Sequence, residues 1–148
     1  MKKISSLGLN HYARQYVLDR NIPSDKHYLL YHTDSFSKWS NEWCPTKLDV
    51  NNDTAGLLIP LHNSDNKFIA CQGRSYNKND KLKYQTSKVH EDTQLVFGRD
   101  RLNPNIPKFA VEGPIDSLFV DNCDAVKGFN TFKLLSKDYT IIPDNDRR

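Results

Sequence analysis

The sequence of 148 residues lacks the segments that mark membrane-spanning and secreted proteins. None of its apolar runs approaches the roughly 20 residues that a helix needs to cross a bilayer. Its first six residues, Met-Lys-Lys-Ile-Ser-Ser, lead into no apolar signal region. We therefore expect no membrane partner and a cytoplasmic location.

Cysteine and histidine are also scarce. The three cysteines, Cys44, Cys71 and Cys123, stand apart with no Cys-x-x-Cys spacing, and the five histidines are scattered. This pattern argues against a zinc finger or ribbon, and an odd cysteine count argues against a disulfide framework. We expect no zinc in this chain.

Charge is distributed unevenly although the net charge is only +3. Residues 1–108 carry 16 lysines and arginines against 11 acids, whereas the remaining residues carry 5 against 7. A basic part followed by an acidic part favours polyanion binding in the first part and cation or acid chemistry in the second.

The first part reads as a helix followed by a hairpin and a basic stretch. Apolar spacing predicts a helix over residues 10–20, and two short apolar runs, 56–61 and 68–72, predict an antiparallel hairpin around a polar turn. The candidate nucleotide- or nucleic-acid-binding residues follow: Arg74, Lys78, Lys81, Lys83 and Tyr84. Lysines interleaved with tyrosines can contact phosphates and stack on bases; an ordinary solvated loop is the alternative.

The second part follows a linker at residues 103–107 and changes pattern. Short apolar strands at 108–111, 124–128 and 139–142, with a helix over 115–122, are typical of a parallel α/β sheet. The predicted class is therefore α/β, or α+β overall: a lobe of helix and antiparallel hairpin over residues 1–107, then a parallel-sheet α/β lobe over residues 108–148.

Acidic residues follow two of these strands. Glu112 comes directly after one strand, and Asp144 and Asp146 come after another. If the two strands are parallel neighbours, the carboxylates lie at one edge of the sheet. Converging carboxylates repel unless a cation neutralises them, and oxygen ligands favour Mg²⁺ or Mn²⁺. Taken alone, Asp144-Asn145-Asp146 is more typical of a polar turn, but the Glu-Gly-x-x-Asp pattern after an earlier apolar strand favours the metal site.

These acids lie in segments that resemble the two signature motifs of the Toprim domain, which occurs in primases, topoisomerases and certain nucleases. The motifs here are Val111-Glu112-Gly113-Pro114-Ile115-Asp116-Ser117-Leu118-Phe119 and Ile141-Ile142-Pro143-Asp144-Asn145-Asp146. Five upstream segments keep the order seen in primases: Arg20-Asn21-Ile22-Pro23, Leu58-Ile59-Pro60-Leu61, Gln72-Gly73-Arg74, Lys83-Tyr84 and Phe97-Gly98. The chain therefore resembles the DNA primases of tailed bacteriophages, with a partial Toprim fold in its second lobe.

The resemblance implies an enzyme that synthesises short RNA primers on single-stranded DNA by metal-dependent nucleotidyl transfer during phage DNA replication. It implies that Glu112 acts as general acid or base or helps to hold the metal, and that Asp116 supports the site. Asp144 and Asp146 match the metal-binding pair of the family, so the implied cofactor is Mg²⁺ or Mn²⁺.

The same resemblance implies the partners. Arg74 and Lys83 match basic residues that face the nucleotide and template, so single-stranded DNA and ribonucleoside triphosphates are expected ligands, and a replicative helicase is an expected partner. Compared with the family, the sequence lacks the amino-terminal zinc-binding module and the last helix and strand of the Toprim fold. Three explanations are therefore open: a gene fragment, a split primase that a companion chain completes, or an inactive remnant. The implied cytoplasm is that of the host cell.

Two other functions remain open from the sequence. The same acids can support strand cleavage, as in a Toprim nuclease or a topoisomerase fragment. In a third interpretation the acids are inert, and the basic lobe makes the chain a non-catalytic nucleic-acid-binding subunit of a replisome.

Overall fold

The computed structural model describes residues 1–51, 53–80, 83–126, 132 and 135–144. The chain forms two compact units, one of Met1–Pro60 with Phe68–Thr93 and the other of Leu61–Lys67 with Gln94–Arg148. The functional division between residues 107 and 108 stays a prediction. None of the helices in the described ranges is long and apolar enough to cross a membrane.

A five-stranded sheet with strand order β1-β2-β3-β4-β5 lies in the first unit, apart from the last two residues of β3, Leu61 and His62, which belong to the second unit. The strands are β1 (Lys2–Lys3), β2 (Tyr31–Thr33), β3 (Gly56–His62), β4 (Phe68–Ser75) and β5 (Tyr84–Lys88). Two α-helices, α1 (Tyr12–Asp19) and α2 (Phe36–Ser40), and two 3₁₀ turns, Ile4–Ser6 and Ser24–Leu29, complete the described elements.

The predicted hairpin corresponds to β3 and β4, which are neighbours in the sheet. Strand β3 is apolar because it is central: Leu57, Leu58 and Ile59 are fully buried. The connecting turn closes through Asn63, whose backbone N–H donates to the carbonyl of Lys67 at 3.0 Å. Asn66 adopts a left-handed φ of 59° there, a conformation that asparagine tolerates well.

The structure corrects the predicted extent of helix α1. The helix begins at Tyr12 because the imidazole Nδ1 of His11 accepts a hydrogen bond from the backbone N–H of Ala13 at 3.2 Å. Ala13 and Val17 form its fully buried face. It ends before Asn21, whose φ of 55° is left-handed.

The basic stretch after β4 differs from the expected loop. Its second half is β5, which pairs antiparallel with β4 so that Arg74 lies opposite Tyr84 and Cys71 opposite Ser87. The strand has no apolar run to reveal it, because it lies at the edge of the sheet, where polar side chains are well tolerated.

The second unit contains a mixed four-stranded sheet with strand order β6-β8-β7-β9. The strands are β6 (Val96–Phe97), β7 (Lys108–Val111), β8 (Cys123–Val126) and β9 (Tyr139–Ile141), with 3₁₀ turns at Arg99–Arg101 and Asp116–Phe119. Strand β7 is parallel to both β8 and β9, while β6 is antiparallel to β8. The mixed α/β class is confirmed, with an antiparallel edge strand added to the expected parallel ones.

The helix expected over residues 115–122 is a single 3₁₀ turn at Asp116–Phe119. The hydroxyl of Ser117 donates to the carbonyl of Pro114 at 2.8 Å, a local bond that competes with helix continuation. Asn122 has a left-handed φ of 52°, and its side-chain amide donates to the carbonyls of Asn103 and Pro107. These bonds turn the chain into β8 instead of extending a helix.

Candidate functional site

Two of the predicted acids follow neighbouring parallel strands. In the β7/β9 pair Ala110 lies opposite Ile141, and the backbone N–H of Ile142 donates to the carbonyl of Ala110 at 2.8 Å. Glu112 is the first residue after β7, and Asp144 is the third after β9. The two strands are parallel, so both acids follow at the same edge of the sheet. Adjacent strands lie about 4.8 Å apart. Asp146 lies outside the described residues.

Asp116 lies close to the glycine that follows Glu112. A Cβ atom added to Gly113 would be 2.0 Å from the carboxylate Oδ2 of Asp116. No other residue type can therefore stand at this position without moving the carboxylate, which is a steric reason for the Glu-Gly-x-x-Asp pattern. Glu112 is half-buried, whereas Asp116 and Asp144 are exposed.

A buried carboxylate connects β8 to the strand that precedes Asp144. Asp124 in β8 is fully buried, and its Oδ2 accepts a hydrogen bond from the hydroxyl of Tyr139 in β9 at 2.8 Å. The Nε of Arg99 lies 3.1 Å from the same oxygen. Burial raises the pKa of Asp124, and the Tyr139 hydroxyl and the Arg99 charge only partly oppose it.

This network was not identified from the sequence, since Asp124 stands inside an apolar strand pattern. The nearby glycine of the Phe97-Gly98 motif gives a partial signal. Gly98 has a left-handed φ of 102°, and an added Cβ would lie 2.6 Å from the carbonyl oxygen of Cys123. The glycine of the motif therefore permits the backbone at residue 98 to approach β8 closely, beside the buried Asp124.

The acids that follow β7 and β9 have the chemistry of a divalent-ion site. They supply only oxygen donors, which suit Mg²⁺ or Mn²⁺, and no lysine or arginine of the described ranges forms an ion pair with Glu112 or Asp144. Within the part of the chain that the structure describes, no three His, Cys, Asp or Glu side chains form a metal-ligand group. The predicted ligand set, which includes Asp146, therefore stays a prediction.

In the first unit, Arg74 and Tyr84 lie against each other. The guanidinium carbon of Arg74 is 4.5 Å from the centroid of the Tyr84 ring, as expected for residues opposite each other on paired strands. The Nε of Arg74 donates a 2.7 Å hydrogen bond to the hydroxyl of Tyr16 in α1. The tertiary structure thus holds Arg74 by a hydrogen bond to the hydroxyl of Tyr16 and by contact with the ring of Tyr84.

A second arginine reaches the same tyrosine. Arg20, one turn after Tyr16, has its Nη1 3.5 Å from the Tyr16 hydroxyl and its guanidinium carbon 5.5 Å from the centroid of that ring. From the sequence, Arg20 stands out only as part of a family motif. The four-residue spacing of Tyr16 and Arg20 on a predicted helix is the signal that could have identified the pair.

The predicted lysines lie near this arginine in sequence but are less constrained. Lys78 and Lys83 are exposed, and the carbonyl of Lys83 accepts a 3.1 Å hydrogen bond from the backbone N–H of Ser75. No carboxylate of the described residues forms an ion pair with Arg74, Lys78 or Lys83. Lys81 lies outside the described residues.

The chain is similar in sequence to a bacteriophage protein. The chain is 30% identical over 146 residues to the DNA primase of Enterobacteria phage T4, an alignment that covers 99% of this chain and 41% of the phage T4 protein. The chain thus spans about two fifths of the length of this curated relative. No protein-family profile matches the chain.

Solved structures share the fold. A DNA primase domain from Pseudomonas aeruginosa matches with a TM-score of 0.68 at 18% identity, over 99% of this chain and 58% of that one. The DnaG primase catalytic domain bound to ssDNA matches with a TM-score of 0.68 at 16% identity and the same coverages. The Aquifex aeolicus primase, with its zinc-binding and RNA polymerase domains, gives 0.67 at 20% identity over 91% and 43% of the two chains.

The solved structures are at most 20% identical to the chain, so they establish the fold alone. The phage T4 protein is similar in sequence as well. The predicted resemblance is confirmed: over nearly its whole length this chain is similar in sequence to a phage DNA primase and has the fold of a primase catalytic domain.

Proposed function

We propose that the chain supplies catalytic-core residues of a DNA primase, which joins ribonucleotides into short primers on a single-stranded DNA template. The observation that carries this proposal is the similarity to the phage T4 DNA primase, because it covers 99% of the chain. The shared fold of primase catalytic domains supports it independently.

The second unit would carry the acidic chemistry as a partial Toprim domain. Glu112 and Asp144 follow neighbouring parallel strands, and together with Asp146 they are the residues that would hold Mg²⁺ or Mn²⁺. Such an ion, when bound, would stabilise the negative charge that develops during phosphoryl transfer. Glu112 is also the proposed general base for the attacking 3′-hydroxyl, with Asp116 as its acidic neighbour in the motif.

The first unit would bind phosphates. The guanidinium group of Arg74 can form two parallel hydrogen bonds to a phosphate, and its contact with Tyr84 holds its plane against an aromatic ring. Arg20, Lys78, Lys81 and Lys83 would add positive charge, and the exposed part of Tyr84 offers a surface on which a base can stack. The ligands proposed for this unit are the single-stranded template and ribonucleoside triphosphates.

A primer-synthesis assay tests the proposal. The full chain is incubated with single-stranded DNA, labelled ribonucleotides and either Mg²⁺ or Mn²⁺, with and without the replication proteins proposed as partners, namely a replicative helicase and a companion chain. We expect labelled primers from the wild type. Glu112→Gln should abolish synthesis while leaving DNA binding almost intact, because it removes a charge but keeps the shape of the side chain.

Glu91→Gln is the matched control, since Glu91 is an exposed glutamate of the first unit. Equal primer yields from wild type and Glu112→Gln would refute the role of Glu112. Metal-dependent cutting of DNA without ribonucleotides would replace the proposal by a nuclease. DNA binding without synthesis in every mixture would replace it by a non-catalytic subunit of the replisome.

A further inference from the structure

The hydroxyl of Tyr16 is the only hydrogen-bond acceptor that the described residues offer to Arg74. It accepts the bond from Nε at 2.7 Å, while Tyr84 covers the guanidinium group at 4.5 Å. A guanidinium group has five N–H donors, so the four on the two Nη atoms are left, and none of them bonds to a described residue. Arg74 is therefore held at its Nε donor by Tyr16 and at one face of the guanidinium group by Tyr84, which leaves the Nη donors available to a ligand.

Tyr16 is itself supported by a second tyrosine. The rings of Tyr16 and Tyr76 meet edge to face, with centroids 4.9 Å apart and planes at 78°. Tyr76 directly follows β4, two residues after Arg74, and its ring also meets that of Tyr12 in α1 edge to face, with centroids 5.4 Å apart. It is only partly exposed, and burial raises the pKa of its hydroxyl, so that the hydroxyl keeps its proton.

The hydroxyl of Tyr76 is in turn held by a buried histidine. It lies 3.1 Å from Nδ1 of His32, and Nε2 of the same ring lies 3.0 Å from Oδ1 of Asp34. His32 is only 2% exposed, and burial lowers the pKa of its imidazole against the opposing effect of Asp34. A neutral ring that donates from Nε2 to Asp34 and accepts a hydrogen bond from the Tyr76 hydroxyl at Nδ1 satisfies these two partners. The hydroxyl of Tyr12 lies 3.3 Å from the same Nε2.

We propose that Tyr16 is a positioning residue that orients Arg74 for phosphate binding, and that Tyr76 and His32 hold Tyr16 in place. The inference rests on the proposed function, in which Arg74 binds a phosphate of the template or of an incoming nucleotide. An arginine side chain that is already ordered loses less conformational freedom when it binds. The contacts that His32 and Tyr76 provide to Tyr16 should therefore reduce the conformational freedom that Arg74 loses when it binds a phosphate.

A double-mutant cycle between Tyr16 and Arg74 tests the proposal. Binding of a fluorescein-labelled single-stranded oligodeoxynucleotide is measured by fluorescence anisotropy, and binding of ATP with Mg²⁺ by isothermal titration calorimetry. Tyr16→Phe keeps the ring and removes the acceptor, and should weaken binding of the ligand that Arg74 contacts by roughly threefold to tenfold. In the Arg74→Ala background Tyr16→Phe should have a much smaller effect, limited to the long 3.5 Å contact between Arg20 and the same hydroxyl.

The two ligands distinguish the source of the phosphate, since only the one contacted by Arg74 should respond to both substitutions. Tyr76→Phe, which removes the hydroxyl that His32 holds, should weaken binding of the same ligand in the same direction as Tyr16→Phe. Tyr28→Phe is the matched control, because Tyr28 is 50% exposed and lies in a different turn of the same unit. Melting temperatures are recorded for every variant.

The outcomes separate the inference from the function on which it rests. If Arg74→Ala weakens binding and Tyr16→Phe does not, the positioning role is wrong. It is equally wrong if the effects of Arg74→Ala and Tyr16→Phe on binding add, because Tyr16 would then act without Arg74. It is also wrong if Tyr16→Phe and Tyr76→Phe lower only the melting temperature. If Arg74→Ala leaves the binding of both ligands unchanged, the proposed role of Arg74 itself fails.

Discussion

The carboxylate of Asp116 occupies the space that a side chain at Gly113 would need, since an added Cβ would lie 2.0 Å from Oδ2. The two residues are three apart in a segment that leaves β7 and enters a 3₁₀ turn. The absence of a side chain at Gly113, directly after Glu112, therefore leaves room for the carboxylate of Asp116.

Gly113→Ala should displace the Asp116 carboxylate and reduce primer synthesis, because small misplacements in an active site cost roughly tenfold to a hundredfold in rate. The end of a flexible side chain can rotate away, so we expect the melting temperature to change little. Primer yield and thermal denaturation are measured side by side. Gly8→Ala is the control, since nothing lies within 4 Å of a Cβ added there; equal yields from both variants would contradict the role of Asp116.

Divalent ions should stabilise the folded protein if the acids bind them. A ligand at a hundred times its dissociation constant adds about 2.7 kcal/mol to the free energy of unfolding, so Mg²⁺ or Mn²⁺ should raise the melting temperature. Asp144→Asn should reduce this increase, whereas Asp92→Asn, at an exposed position of the other unit, should leave it unchanged. An increase of the same size in both variants would mean that Asp144 is not a ligand.

Asp53 caps the short helix α2 and should contribute to stability. Its carboxylate accepts hydrogen bonds from the backbone N–H groups of Ser37 at 2.7 Å and Lys38 at 2.8 Å, and from the hydroxyl of Ser35. Loss of such a cap costs about 0.5–2 kcal/mol, so Asp53→Ala should lower the free energy of unfolding in urea by about that amount. Asp65→Ala, at an exposed turn, is the control.

The cap should also make stability depend on pH. Burial raises the pKa of Asp53, but the bonds from Ser35, Lys38, Ser37 and Thr54 outweigh burial and hold this pKa below its usual range. The contribution is therefore complete above the unfolded-state pKa of about 3.9 and is lost as the pH falls through the folded-state value. A difference between wild type and Asp53→Ala that persists undiminished under strongly acidic conditions would contradict this origin.

Tyr139 should stabilise the second unit through Asp124. Tyr139→Phe removes the 2.8 Å hydrogen bond to a fully buried carboxylate, and hydrogen bonds to charged groups are worth about 1.5–3 kcal/mol. We expect urea denaturation to show a loss of that size, with lower primer yield because Tyr139 belongs to the strand that precedes Asp144. Tyr28→Phe should have no comparable effect on the free energy of unfolding. A similar loss in both variants would mean that the hydrogen bond to Asp124 is not the cause.

Part of the candidate site was predictable from local pattern. The acids stand directly after short apolar runs, and parallel neighbours place such positions at one edge, so the relation between Glu112 and Asp144 follows from the strands that precede them. The helix expected after Gly113 was wrong, because the bonds of Ser117 and the left-handed Asn122 lie outside what apolar periodicity reports. The roles of all the predicted site residues stay predictions, and two of them, Asp146 and Lys81, lie outside the described residues.

The sequence by itself determined the mixed α/β class, the β3/β4 hairpin and the resemblance to primases, because these depend on apolar runs, turn residues and motifs that are local. Tertiary structure decided what surrounds the side chains. Arg74 and Tyr16 are 58 residues apart in the chain, and Asp124 and Tyr139 are 15 apart. Hydrogen bonds between such residues depend on which strands and helices pack together, and that choice is made by the burial of apolar faces, not by the polar residues that the packing brings into contact.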